Sequence, residues 1–155
     1  KNAFQQHFEH VASIARATGE PVTLGIIDIN HLDSTNREYG SQAGDRLLCA
    51  VADSTVRCFP RKHDYVARLG GSTFALVLRD LDQQSAHRLM QRLSTALSDI
   101  RLAIPTGTLS CSVASGYTQL SAHERLSDCY ERACRAMNRA KQSDQADAMY
   151  LPSSP

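Results

Sequence analysis

Apolar residues recur every three to four positions at Phe4, Phe8, Val11, Ala12 and Ala15, which predicts an amphipathic helix over residues 2–17. Gly19 and Pro21 end it. The pattern then changes. Val22-Thr23-Leu24-Gly25-Ile26-Ile27-Asp28-Ile29 is an apolar run with one acid near its end, as in a central strand buried on both faces. Asn30 to Gly40 is polar and reads as a loop with room for a short helix. Leu47, Leu48, Val51, Val56 and Phe59 return to helical spacing for about four turns, and Pro60 stops them.

Two short β-prone runs follow, Tyr65-Val66-Ala67 and Ala75-Leu76-Val77-Leu78, with Gly70-Gly71 between them. Paired glycines in that setting predict a hairpin, with Ser72 and Thr73 at its tip. Ala86, Leu89, Met90, Leu93 and Leu97 mark a helix over 83–99. Alternation from Thr108 to Tyr117 predicts one strand, with Leu109, Cys111, Val113 and Ser115 on its drier face. A last helix is expected over about 122–141, and Ala148 to Leu151 as an edge strand. The intermingled elements predict an α/β fold with a central mixed sheet flanked by helices.

The 155 residues suit one domain, residues 1–150, with 151–155 as a Pro/Ser linker and both ends cut from a longer multidomain chain. A net charge of +1 argues against binding a nucleic acid polymer or a membrane through bulk charge, though not against a local basic pocket. No apolar run reaches membrane-spanning length. Five cysteines, an odd number without a CxxC pair, read as reduced, and Cys49, Cys129 and Cys134 as small buried thiols on helices. Reduced thiols predict a cytoplasmic domain, with any membrane tether supplied by absent regions. His7 and His10 share a helix spacing without thiol or acidic partners and read as surface residues.

Several motifs in order resemble the GGDEF domain, the diguanylate cyclase family of bacterial signalling proteins. Ile27-Asp28-Ile29-Asn30-His31-Leu32-Asp33-Ser34-Thr35-Asn36 is similar to the family's IDxDxFKxxND stretch. Tyr39-Gly40-Ser41-Gln42-Ala43-Gly44-Asp45 is similar to YGHxxGD. Val66 to Phe74 resembles the signature hairpin except at its two acids, and Arg139-Ala140-Lys141 resembles the AK near the family's end. The resemblance implies a fold akin to adenylyl cyclase and polymerase palm domains. It also implies a reaction in which a dimer condenses two GTP into cyclic di-GMP with two divalent cations.

Position by position, the resemblance gives a degenerate member. Asp28 keeps the first metal-binding acid, and the Ile29 carbonyl stays available, but Asn30, Ser72 and Thr73 stand where acids are expected. A neutral hydroxyl is a weak metal ligand and a poor general base. Asp33 replaces a phosphate-binding lysine and reverses its sign. Lys141 matches a second phosphate-binding lysine, while Gln145 replaces the arginine four residues on. The losses predict a catalytically inactive domain with no required cofactor, Mg²⁺ entering only with residual GTP. Asn36 and Asp45 match the guanine-reading pair; their bland alternatives are a turn cap and a helix N-terminal residue.

Arg61-Lys62-His63-Asp64 matches the family's inhibitory RxxD site for cyclic di-GMP, with Arg92 as its secondary arginine; the alternative is a solvated charged loop. Arg offers a planar fork to phosphate or guanine O6/N7, and Asp accepts from the guanine N1–H edge. The resemblance thus implies a regulatory module that binds cyclic di-GMP at Arg61, Asp64 and Arg92, beside an EAL-type or sensory domain. A weakly active cyclase, a GTP-binding module, and a purely protein-binding or homodimerising module remain as alternatives.

Overall fold

The structure, a computed structural model, describes residues 2–59, 61, 63–143 and 147–153. Helix α1 (Asn2–Thr18) leads through Gly19 into strand β1 (Val22–Ile29), all eight of whose residues are buried. Helices α2 (Leu32–Tyr39) and α3 (Ser41–Cys58) follow, then the hairpin β2 (Tyr65–Gly70) and β3 (Thr73–Arg79). Helix α4 (Gln83–Ser98), strands β4 (Arg101–Ile104), β5 (Gly107–Ser110) and β6 (Val113–Gln119), helix α5 (Leu126–Gln142) and strand β7 (Met149–Tyr150) complete the chain.

The main sheet runs β2-β3-β1-β6-β7. Only β7 is parallel to its neighbour, so the sheet is mixed, as expected. Because side chains alternate across a strand, β1 feeds two cores. Leu24 and Ile26 pack under α1 and α5 with Phe4, Phe8, Ala133 and Ala140. Ile27 and Ile29 pack under α3 and α4 with Leu47, Val51, Met90 and Leu93. Asp28 falls on the α5 side by the same alternation.

Several expectations change. The single strand over 108–117 is two strands in two sheets: β5 pairs with β4, which the pattern did not reveal, and β6 joins the main sheet. The break lies at Cys111-Ser112, and β6 is buried on both faces rather than one. Helix α3 has 18 residues and ends at Cys58; Pro60, expected to stop it, lies outside the described residues. Helix α5 begins at Leu126, four residues later than 122. Thr73 is not at the hairpin tip but opens β3 opposite Gly70; the turn is Gly71-Ser72, with Gly71 at φ 54°. All five cysteines are free, but of the three expected to be buried only Cys129 is: Cys49 is exposed and Cys134 half-buried. His7 is not a surface residue: its ring stacks on Tyr65 at 4.0 Å, and its Nε2 is buried without a partner among the described residues. Leu151, the first residue assigned to the linker, donates its N–H to the Tyr117 carbonyl and accepts from Thr118 Oγ1.

Candidate functional site

Strand β1 delivers Asp28 to the end of the sheet, between β3 and β6. Its carboxylate is fully engaged. Ser72 Oγ donates to Oδ1 at 2.5 Å and Thr73 Oγ1 donates to the same oxygen at 3.1 Å. Lys141, in the last turn of α5, donates to Oδ2. The Ile29 N–H donates to the Ser72 carbonyl at 3.0 Å, so the turn is fastened to β1 through backbone as well. Asn30 donates from Nδ2 to Ser112 Oγ at 3.0 Å, and its Oδ1 is buried without a partner among the described residues.

Lys141 reaches Asp28 because α5 lies almost on the sheet. Ala133, Ala136 and Ala140 face β6 and β1 with no exposed surface. Gly116 in β6 completes the approach. A Cβ there would stand 2.1 Å from the Met137 backbone nitrogen and 2.4 Å from the Ala136 carbonyl carbon. The absence of a side chain at that one position sets the helix-to-sheet distance.

The two divalent cations implied by the family resemblance need several anionic oxygens. This centre has one carboxylate, already neutralised by an ammonium and accepting two hydroxyl protons. Among the described residues no group of three His, Cys, Asp or Glu side chains could hold a metal ion. The residues present do not fit the metal pair.

The predicted nucleotide residues are dispersed. Asn36 on α2 lies over Gly44 of α3, its Oδ1 1.8 Å from where a Gly44 Cβ would sit, and that oxygen has no partner among the described residues. Among the described residues its side chain caps no turn. Asp45 is exposed on α3, whose N-cap Gly40 offers no side-chain bond, so the capping alternatives do not hold. Asp33 is exposed in the first turn of α2, and Gln145 lies outside the described residues. A groove of about 640 Å³ between the α2–α3 corner and the β4–β5 turn, lined by Tyr39, Gln42, Arg46 and Pro105, includes none of the predicted site residues.

Arg61 and Asp64 stand at the other end of the hairpin and hold each other. Arg61 Nε donates to Asp64 Oδ2 at 2.9 Å and Nη2 to Oδ1 at 2.6 Å, a two-pronged contact. Nη2 also donates to the Arg79 carbonyl at 2.5 Å, closing the segment onto the end of β3. The Asp64 side chain is 1% exposed and that of Arg61 40%. The hydrogen bond to Asp64 raises the Arg61 pKa, against the opposing effect of partial burial. The charged loop is therefore not merely solvated; Lys62 between them lies outside the described residues. Arg92 is exposed on α4, and its charge is felt at Cys58, whose thiol is pushed up by burial while Arg92 and Arg57 pull it down.

The pairing of Lys141 with Asp28 and that of Arg79 with Glu20, at 3.1 and 3.2 Å, were not foreseen. The alanine stripe of α5 carried a signal for the first: small residues at helical spacing announce a close approach to the sheet.

An antiparallel hairpin laid against a buried β1, with helices on both faces, is the architecture of the nucleotide-cyclase palm. Residues 1–147 match the family model described as Diguanylate cyclase, GGDEF domain, and the chain belongs to that family. It is 28% identical over 141 residues to the diguanylate cyclase DgcP of Pseudomonas aeruginosa, covering 91% of this chain and 21% of that protein. It is 29% identical over 126 residues to the diguanylate cyclase DgcM of Escherichia coli, covering 81% and 30%. The chain thus spans less than a third of the length of these relatives. Among solved structures, the GGDEF domain of DgcB from Caulobacter crescentus in complex with c-di-GMP superposes with a TM-score of 0.90 at 22% identity, covering 96% of this chain and 88% of that one.

Proposed function

We propose that this GGDEF domain does not synthesise cyclic di-GMP but binds it, as a regulatory module within a larger signalling protein. The observation that carries the reading is the contrast in charged groups. One carboxylate, already spent, stands where metal-assisted phosphoryl chemistry needs several. An arginine–aspartate pair keeps its guanidinium 40% exposed where a ligand can reach it. Losing a single preorganised charged group from an active site typically costs about 10²–10³-fold in rate, and several are replaced here.

Cyclic di-GMP suits Arg61 and Asp64 chemically. A guanine presents O6 and N7 to a guanidinium and N1–H to a carboxylate, and the phosphates accept from Arg61 or from Arg92. Binding exchanges the internal two-pronged contact for one through the ligand. Isothermal titration of the domain with cyclic di-GMP and GTP side by side tests this. Cyclic di-GMP is expected to bind, with Arg61→Ala weakening it at least about tenfold. No heat with cyclic di-GMP, or cyclic di-GMP formed from GTP with Mg²⁺ or Mn²⁺, overturns the reading.

A GTP-binding module without turnover is the second reading. It is favoured by the unpartnered, buried Asn36 Oδ1 with the exposed Asp45 on the next helix. It predicts heat with GTP that Asp45→Ala removes.

A further inference from the structure

We infer that Lys141 is a resident counter-ion for Asp28, holding the hairpin turn against the end of β1 without metal or nucleotide. The inference goes beyond loss of activity: it assigns the remaining groups of the old centre a structural task. It rests on the reading that no cation pair is held at Asp28.

The Asp28 side chain is 9% exposed, so an unpaired carboxylate there would be costly. Each oxygen has a partner. Oδ1 accepts from Ser72 and Thr73, the two positions where the family resemblance calls for acids; Oδ2 accepts from Lys141. An acid at either hairpin position would face Asp28 with like charge and require a cation between them. Hydroxyls need none. Serine, threonine and lysine therefore act as one set: neutral donors remove the repulsion, and the ammonium supplies the balancing charge. The three elements joined, β1, the hairpin turn and the last turn of α5, become a unit closed at all times.

The two partners differ in exposure, and the test uses this. Lys141 is 45% exposed and hydrates readily when alone, whereas Asp28 does not. Thermal unfolding of the domain and three variants reads the consequence. Lys141→Met is expected to lower Tm by about 5 °C or more, by stranding the buried carboxylate. Asp28→Asn, which keeps an acceptor for both hydroxyls, is expected to cost less than half as much. The Asp28→Asn, Lys141→Met double variant is expected to melt above the Lys141→Met variant, and it keeps the test alive should the single variant fail to fold. Millimolar Mg²⁺ or Mn²⁺ is expected to leave the unaltered domain's Tm where it stands in EDTA. Additive single-variant effects, or a Tm of the unaltered domain that rises with either cation, overturn the inference. None of these readouts uses cyclic di-GMP, so failure here is distinct from failure at Arg61.

Discussion

Two ion pairs clamp the hairpin, one at each end, and they share a design. Each buries its aspartate and leaves its cation roughly half exposed: Asp28 at 9% with Lys141 at 45%, Asp64 at 1% with Arg61 at 40%. They differ in what they join. Lys141 and Asp28 are 113 residues apart and tie α5 to β1, whereas Arg61 and Asp64 are three apart within one short segment. A local pair can open toward a ligand while the ordered elements around it stay packed. The distant pair instead fastens α5, whose Ala133, Ala136 and Ala140 have no exposed surface, to the end of β1. Similar chemistry thus joins distant elements at the turn end and closes a single short segment at the open end.

The comparison breaks most severely if α5 is lifted. Gly116→Ala places a methyl against the Met137 and Ala136 backbone, neither of which can rotate away. The expected loss is about 3 kcal/mol or more in urea unfolding, since overpacking against backbone lies at the high end of its usual range. Gly25→Ala is the control. Its Cβ would meet Met90 Cε at 3.0 Å, the far end of a flexible side chain, and about 1 kcal/mol is expected. Equal costs at the two glycines would mean that Gly116 does not set the position of Lys141.

A smaller effect separates the hydroxyls from the ammonium. Ser72→Ala removes one donor from Asp28 Oδ1 while Thr73 and Lys141 remain, and about 1 kcal/mol of stability should go. Because the turn end and the open end are held separately, ligand affinity at Arg61 should change less than about twofold. A larger change in affinity would show that the two ends of the hairpin act as one.

Much of this was legible in sequence where spacing is short. The buried run of β1, the periodicity of α4 and the paired glycines each determine a local element, and all three appear where expected. Arg61 and Asp64 were singled out through the family resemblance alone, and the structure joins them across three residues. The β4–β5 ribbon was hidden because the alternation of Leu109, Cys111 and Val113 runs on through the break between sheets. Side-chain pattern records burial, and both sheets bury the same face of that segment. The Asp28–Lys141 pair was illegible for a different reason. Lysine at the end of a helix suits the dipole and solvent equally well, and only the close packing of α5 at Gly116 turns it inward.

The gentlest probe of the open end is pH. His7 on α1 stacks on Tyr65, the residue after Asp64, at 4.0 Å and an interplanar angle of 21°. Its pKa is lowered from 6.5, first by burial and then by the positive charge of His10 on the same helix and Arg79 on β3. The folded state therefore binds its proton less readily than the unfolded chain. Where the unfolded state holds more protons, stability rises with pH. The contribution of neutral His7 is fully present above about pH 6.5 and is lost progressively as pH falls from there through its lowered folded value. Urea unfolding at about pH 7.5 and about pH 5.5 should show that loss, and His7→Phe, which keeps a ring on Tyr65, should reduce it. The unbroken Arg61–Asp64 contact makes a further prediction: cyclic di-GMP affinity should follow the same slope only if α1 helps hold the open end. A pH slope unchanged by His7→Phe would assign the acid sensitivity elsewhere, and not to Glu124, whose carboxyl titrates below that window. Burial alone would raise that carboxyl's pKa, but it is held below its ordinary range by Arg132 and the Ser121 N–H, so its contribution fades only as pH falls below about 4.5.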